Sequence, residues 1–69
     1  MTRNELKLKL LERVGINVFD CTADEWLALA EDAERARIAV GPSDPAYEYF
    51  FNRTKHYLEA AVLRDDTSN

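Results

Sequence analysis

The stretch that decides the fold is residues 22–63, which read TADEWLALAEDAERARIAV, GPSDP and AYEYFFNRTKHYLEAAVL in succession. It begins with a capping box, in which the side chains of Thr22 and Glu25 each bind the other residue's backbone N–H. Apolar residues then recur every three or four positions, as they do on one face of a helix. Gly41, followed by a proline, is typical of a helix end. We therefore predict a helix at residues 23–40.

A second helix is predicted almost immediately afterwards. Asp44 is a favourable N-cap, and Pro45 stands at the first helical position, where its missing N–H costs nothing. A broad set of apolar residues follows at helical spacing from Tyr47 to Val62, which predicts a helix at residues 45–63. Because the connection between the two helices is short, they are expected to form an antiparallel hairpin.

A shorter helix is predicted near the N-terminus. Thr2 and Glu5 repeat the capping-box pattern, and Gly15 supplies the left-handed residue that ends many helices. These signals place the helix at residues 3–14. The competing interpretation is a strand, because leucine and lysine alternate at residues 6–10. Two adjacent leucines then break that alternation, and the residue types favour a helix.

The predicted fold class is all-α, with a short N-terminal helix plus the hairpin in a single domain at residues 1–64 and a disordered tail at 65–69. A chain of 69 residues buries only about 60% of its unfolded surface, so a lone core is marginal. We therefore expect two copies to associate into a dimeric helical bundle. Trp26 and Phe51 are expected in the core, and Phe19 is expected to plug it. Three further apolar residues lie off the predicted stripes: Leu27, Ile38 and Leu63.

Composition excludes several classes of protein. Hydrophobic residues make up 46% of the chain, which is typical of a globular protein. No apolar run approaches the roughly 18 residues of a membrane-spanning helix, and the N-terminal pattern is not that of a signal peptide. The chain is therefore expected in the cytoplasm and off the membrane. A net charge of −4 argues against non-specific binding of nucleic acid.

No pattern of catalytic or metal-binding residues is present. With one Cys and one His, the chain forms neither an internal disulfide nor the usual Cys/His zinc site. His56 is predicted to be a solvated surface side chain rather than a general base. Cys21 is predicted to be a small packed hydrophobe, although a helix N-terminus lowers a thiol pKa and leaves a reactive thiol as the alternative. We predict no enzyme activity, no catalytic residues, no metal and no cofactor.

The aromatic residues of the third helix are the strongest functional signal. Tyr47, Tyr49, Phe50 and Phe51 point in almost every direction around its first turns, so one helix face does not hold them all. Exposed aromatic side chains are the usual anchors of protein interfaces. The predicted partner-binding residues therefore include four aromatic side chains: Tyr47, Tyr49, Phe50 and Tyr57.

Charge is distributed unevenly along the chain. Residues 20–34 carry six acidic side chains and no basic one. A solvated helix face explains this pattern most simply; the alternative is an acidic surface for a basic partner, with Asp24, Glu31 and Asp32 as partner-binding residues. The N-terminal helix is basic, which suits an acidic partner or an ordinary amphipathic helix.

These features favour a small non-enzymatic interaction module, an adaptor, inhibitor or regulator that binds a larger protein through an aromatic and apolar helical face. Small acidic proteins of this kind are common among regulators encoded by phages and plasmids. The alternative is a DNA-binding transcriptional regulator of helix-turn-helix type, because three helices permit it. Residues 41–45 match the tight turn of that motif poorly, and the third helix has few basic side chains.

Overall fold

The computed structural model describes residues 2–67 of the chain. The fold is all-α and consists of α1 (Arg3–Val14), a 3-10 turn (Val18–Asp20), α2 (Ala23–Val40) and α3 (Ala46–Thr67). The predicted bounds of α1 and α2 agree with the structure. The predicted end of α3 was too early: the helix continues through residues 65–67, beyond its buried Leu63. The disorder predicted for Ser68 and Asn69 lies outside the described residues.

Both predicted capping boxes form. The Thr22 N–H donates to the Glu25 carboxylate over 3.0 Å, and the Glu25 N–H donates to the Thr22 hydroxyl over 3.2 Å. The corresponding pair at the start of α1 is present as well. Gly15 adopts a φ of 74°, a left-handed conformation that costs a side-chain-bearing residue free energy, and so ends α1. The local sequence therefore determines where α1 and α2 begin and where α1 ends.

Helices α2 and α3 form the predicted antiparallel hairpin. Near one end Trp26 stacks on Tyr57, with 5.8 Å between the ring centroids. Near the other end the Arg37 guanidinium donates a 2.8 Å hydrogen bond to the Tyr47 hydroxyl. The two contacts are about 16 Å apart along each helix at 1.5 Å per residue, so the helices stay adjacent along most of α2. The small residues predicted for the inner face of α2, Ala30 and Ala33, are buried.

The core lies at the Trp26 end of the hairpin. It is covered there by α1 and by the segment that joins α1 to α2 (residues 15–22), which we call the connector. The Trp26 indole N–H donates to the Val18 carbonyl over 2.9 Å and joins the connector to α2. Trp26 is 5% exposed, which confirms its predicted place in the core. The buried cluster comprises Leu10, Ile16, Val18, Trp26, Ala60, Ala61 and Leu63.

Two predictions about this region were wrong. Phe19 does not plug the core: it is 59% exposed, while its neighbour Val18 is 1% exposed. Asn17 accepts the Phe19 N–H and caps a 3-10 turn that places Val18 inward and Phe19 outward. Leu63 was predicted to lie off the main apolar face of α3. It is buried because α1 and the connector cover that side of the helix.

Candidate functional site

An open cleft of about 220 Å³ runs beside the α2–α3 contact, and we call it the aromatic cleft. Tyr49 and Phe50 line it from α3 and meet edge to face, with ring centroids 5.3 Å apart. Tyr57 lies further along the cleft, half-buried between it and the core. On α2 small side chains leave room for these rings. The α2 side of the cleft consists of Leu29, Asp32, Ala33 and Ala36.

Arg53 fixes one wall of the aromatic cleft. Its guanidinium lies 5.4 Å from the centroid of the Tyr49 ring, and its Nε donates to the Tyr49 hydroxyl over 3.3 Å. Its Nη1 donates to the Val14 carbonyl at the end of α1 over 3.4 Å. Arg53 therefore positions Tyr49, which is still 55% exposed. Sequence reasoning missed Arg53, although its spacing of four residues from Tyr49 on one helix could have indicated the pair.

Tyr47 lies away from the aromatic cleft, at the far end of the hairpin. Its hydroxyl accepts a hydrogen bond from Arg37, and its ring lies 5.4 Å from the Arg37 guanidinium. Arg37 also donates to Glu34 over 2.9 Å. The hydrogen bond to Tyr47, and then that to Glu34, raise the pKa of Arg37 above its usual value. This half-buried Tyr47 joins the two helices, so the four predicted aromatic residues do not form one surface.

A second surface runs along the outer side of α3. Phe51, Leu58 and Val62, which we call the apolar stripe, are 52%, 44% and 63% exposed. Their spacing of seven and four residues places them on one side of the helix. On α2 four further large apolar side chains are exposed, of which Leu27 and Ile38 are the most exposed; the other two are Leu29 and Val40.

The prediction that Phe51 lies in the core was therefore wrong. Phe51 is nine residues from the fully buried Ala60, and nine steps of about 100° place it on the opposite side of α3. The core forms on the Ala60 side, where α1 packs. The sequence did contain these apolar residues, but helical spacing alone did not indicate which of them another helix would cover.

The predicted acidic residues are all exposed but do not form one patch. Asp24 and Glu31 are seven residues apart and lie on one side of α2, the side that also carries Leu27. Asp32 points about 100° away from Glu31, lines the aromatic cleft and pairs with Arg35. Asp24 and Glu31 thus flank exposed apolar surface, whereas Asp32 belongs to the aromatic cleft.

Cys21 is half-buried and packs against the core, as predicted, whereas His56 differs from its prediction. Burial, and then the nearby carboxylates of Glu25 and Asp20, raise the pKa of the Cys21 thiol, which is opposite to the lowering that a reactive thiol requires. His56 is not fully solvated: it is half-buried beside α1, and its Nδ1 is buried with no hydrogen-bond partner among the described residues. Among the described residues, no group of three or more His, Cys, Asp or Glu side chains is arranged to hold a metal ion.

No helix within residues 2–67 is both long enough and apolar enough to cross a membrane. No protein-family model, curated protein or solved structure matches this chain.

Proposed function

We propose that this chain is a small non-enzymatic protein–protein interaction module, which acts in the cytoplasm as an adaptor or inhibitor of a larger protein. The observation that carries the proposal is the apolar stripe, whose three side chains are each more than two-fifths exposed. Single exposed apolar residues are ordinary, but three on one side of a single helix are typical of an interaction surface. Residues that follow this spacing on a helix suit a helical groove or another helix.

The charges beside this surface suggest which partners fit it. Phe51 and Leu58 border a groove whose α2 side is formed by Glu34 and Arg37. Leu27 and Ile38 are exposed further around α2, on the side that carries Asp24 and Glu31. A partner that presents apolar side chains flanked by lysine or arginine is complementary to this arrangement. Charged groups at the rim mainly favour the correct partner and speed association, while the apolar contacts supply the affinity.

A second contact is proposed at the aromatic cleft. Tyr49 is more than half exposed, and its ring is held by Arg53. A tyrosine whose ring is already positioned loses little conformational entropy on binding, which favours its use as an anchor. Phe50 and Tyr57 form the base of this contact.

The first partner to test is a second copy of the chain. Two hairpins that meet through their apolar stripes would form a four-helix bundle and would cover Phe51, Leu58 and Val62. Size-exclusion chromatography with light scattering, repeated over a range of protein concentrations, measures this association.

Phe51→Glu is the decisive variant, because this half-exposed side chain contributes little to the core. Asn52→Glu introduces the same charge at the next position, which is exposed and lies off the apolar stripe. We expect Phe51→Glu to abolish association while Asn52→Glu preserves it, with both variants keeping the helical circular dichroism of the parent. If the parent is a monomer, the same three proteins are compared for retention of a cellular partner. Equal behaviour of Phe51→Glu and the parent in both assays would refute the proposal.

The helix-turn-helix alternative has less support. That motif crosses its helices at about 90–120°, so that the second helix enters the DNA major groove. Here the contacts of Trp26 with Tyr57 and of Arg37 with Tyr47 keep α2 and α3 side by side. An exposed side of α3 also carries apolar residues where a recognition helix needs polar ones.

A further inference from the structure

We propose that a cleft between α1 and α3 is a binding site for a phosphate-type oxyanion. The cleft has a volume of about 270 Å³ and is lined by basic side chains from both helices. Lys9 and Arg13 belong to α1, and Lys55 and His56 belong to α3. We call it the basic cleft; its remaining lining residues are Leu6, Leu10, Val14 and Glu59.

The charge of the basic cleft is opposite to that of the whole protein. The chain carries a net charge of −4, yet three permanent cations converge here on a single carboxylate, that of Glu59. Among the described residues, Lys9, Arg13 and Lys55 form no ion pair or hydrogen bond through their side chains. Lys9 and Arg13 are also four residues apart on one helix, where like charges destabilise it. A bound anion would neutralise this concentration of positive charge.

His56 adds an imidazole to the lining of the same cleft. Its Nδ1 is buried and therefore lies out of reach of an anion in the open cleft. In the tautomer that is protonated at Nε2, His56 would instead donate to an oxygen of the anion through that nitrogen.

The set of donors suits a tetrahedral oxyanion with several oxygens. The guanidinium of Arg13 presents parallel N–H donors that match two oxygens of a phosphate, and Lys9 and Lys55 add compact positive charges. Because these donors come from two helices, a bound phosphate would bridge α1 to α3. The ligand class is therefore a phosphate, either free as a small phosphate ester or carried by a phosphorylated peptide.

In the first experiment, the 69-residue chain is titrated with inorganic phosphate at constant ionic strength, and its backbone and histidine resonances are followed by NMR. We expect saturable shifts at the residues that line the basic cleft. Lys55→Gln and Lys9→Gln should each weaken phosphate binding about tenfold, the effect of losing one charge-assisted hydrogen bond. Arg35→Gln makes the same change in net charge on the exposed side of α2 and should leave binding unchanged.

The second experiment identifies the source of the phosphate. Phosphoserine and a short phosphoserine peptide are titrated in parallel under the same conditions. Tighter binding of the peptide would assign a phosphorylated protein, and equal binding would assign a small phosphate ester.

Shifts that never saturate, or equal weakening by Lys55→Gln and Arg35→Gln, would overturn the proposal. Phosphate binding and the proposed protein interaction can be tested separately, because Ile38→Glu alters an exposed apolar side chain of α2, which does not line the basic cleft, and should leave phosphate binding intact.

Discussion

Trp26 is the side chain whose replacement should test the position of the core most directly. Trp26→Phe keeps an aromatic ring in place but removes the indole N–H that donates to the Val18 carbonyl over 2.9 Å. That carbonyl belongs to a residue that is 1% exposed, so water cannot readily replace the lost partner. Leaving it unpaired costs about 1–3 kcal/mol. The smaller ring also gives up packing against Tyr57, which adds about 1 kcal/mol.

The expected loss of stability for Trp26→Phe is therefore about 2–4 kcal/mol. A domain of this length has a free energy of unfolding of only about 3–10 kcal/mol, so the variant should lose a large share of it. Urea unfolding followed by far-ultraviolet circular dichroism measures the change, since the substitution removes the only tryptophan fluorescence. With a slope of about 1 kcal/mol per molar urea, the midpoint should fall by about 2 M or more.

Phe51→Ala is the matched comparison, because it also removes a large aromatic ring from the hairpin. Phe51 is 52% exposed, so we expect its loss to cost about 1 kcal/mol or less. An equal fall of the urea midpoint in Phe51→Ala and Trp26→Phe would refute a core at the Trp26 end of the hairpin. That result would place the core at the other end of the hairpin.

Three further predictions concern the local chemistry. Gly15→Ala should lower the free energy of unfolding by about 1 kcal/mol, because its φ of 74° strains alanine; an unchanged melting temperature would contradict this. Hydrogen bonds from Thr22 hold the pKa of Glu25 below its usual 4.5. The carboxylate therefore stabilises the fold fully above pH 4.5, and this stabilisation is lost as the pH falls through the lower folded-state pKa. Glu25→Gln should flatten the acid side of a plot of melting temperature against pH, and a curve of unchanged shape would refute the assignment. Because burial raises the pKa of Cys21, its thiol should react with a thiol reagent at mildly alkaline pH more slowly in the folded chain than in urea; a faster reaction when folded would contradict the raised pKa.

The helix boundaries could be read from sequence because their determinants are local. A capping box needs only a threonine and a glutamate three residues apart, and both such pairs form as predicted. The left-handed Gly15 likewise acts within one turn of chain. The end of α3 was predicted less well, because it lacks a glycine stop and the acidic residues there only weaken the helix.

The choice of which side chains α3 buries could not be read from sequence. Apolar residues occur nearly all the way around this helix, so its periodicity fits more than one buried face. The actual face depends on where α1 packs, which is a contact between residues far apart in the chain. Small Ala60 is fully buried at that contact, while the larger Phe51 is not. Size and hydrophobicity therefore predicted burial for the wrong residue.

In the connector, too, the sequence does not indicate which apolar side chain is buried. Phe19 is larger than Val18, and hydrophobicity alone favours burying it. The 3-10 turn decides otherwise, because Asn17 caps it and places Val18 beneath the Trp26 indole. Phe19 lies instead under two cations, with Lys7 5.0 Å and Arg64 5.8 Å from its ring centroid. Such cation–π contacts stabilise an aromatic ring at the surface, and hydrophobicity alone does not predict them.

The unequal lengths of the helices explain why so much apolar surface lies on α3. With 12 residues α1 is about 18 Å long, whereas the 22 residues of α3 span about 33 Å. The last residue of α1, Val14, meets α3 at Arg53, so the turns of α3 before that point have only α2 as a neighbour. The aromatic residues that begin α3 lie in those turns. The apolar stripe lies on the side of α3 opposite the buried Ala60, with the Phe51 ring 5.9 Å from the Arg37 guanidinium of α2. One short helix cannot cover both regions, so both stay exposed and available to the proposed protein partner.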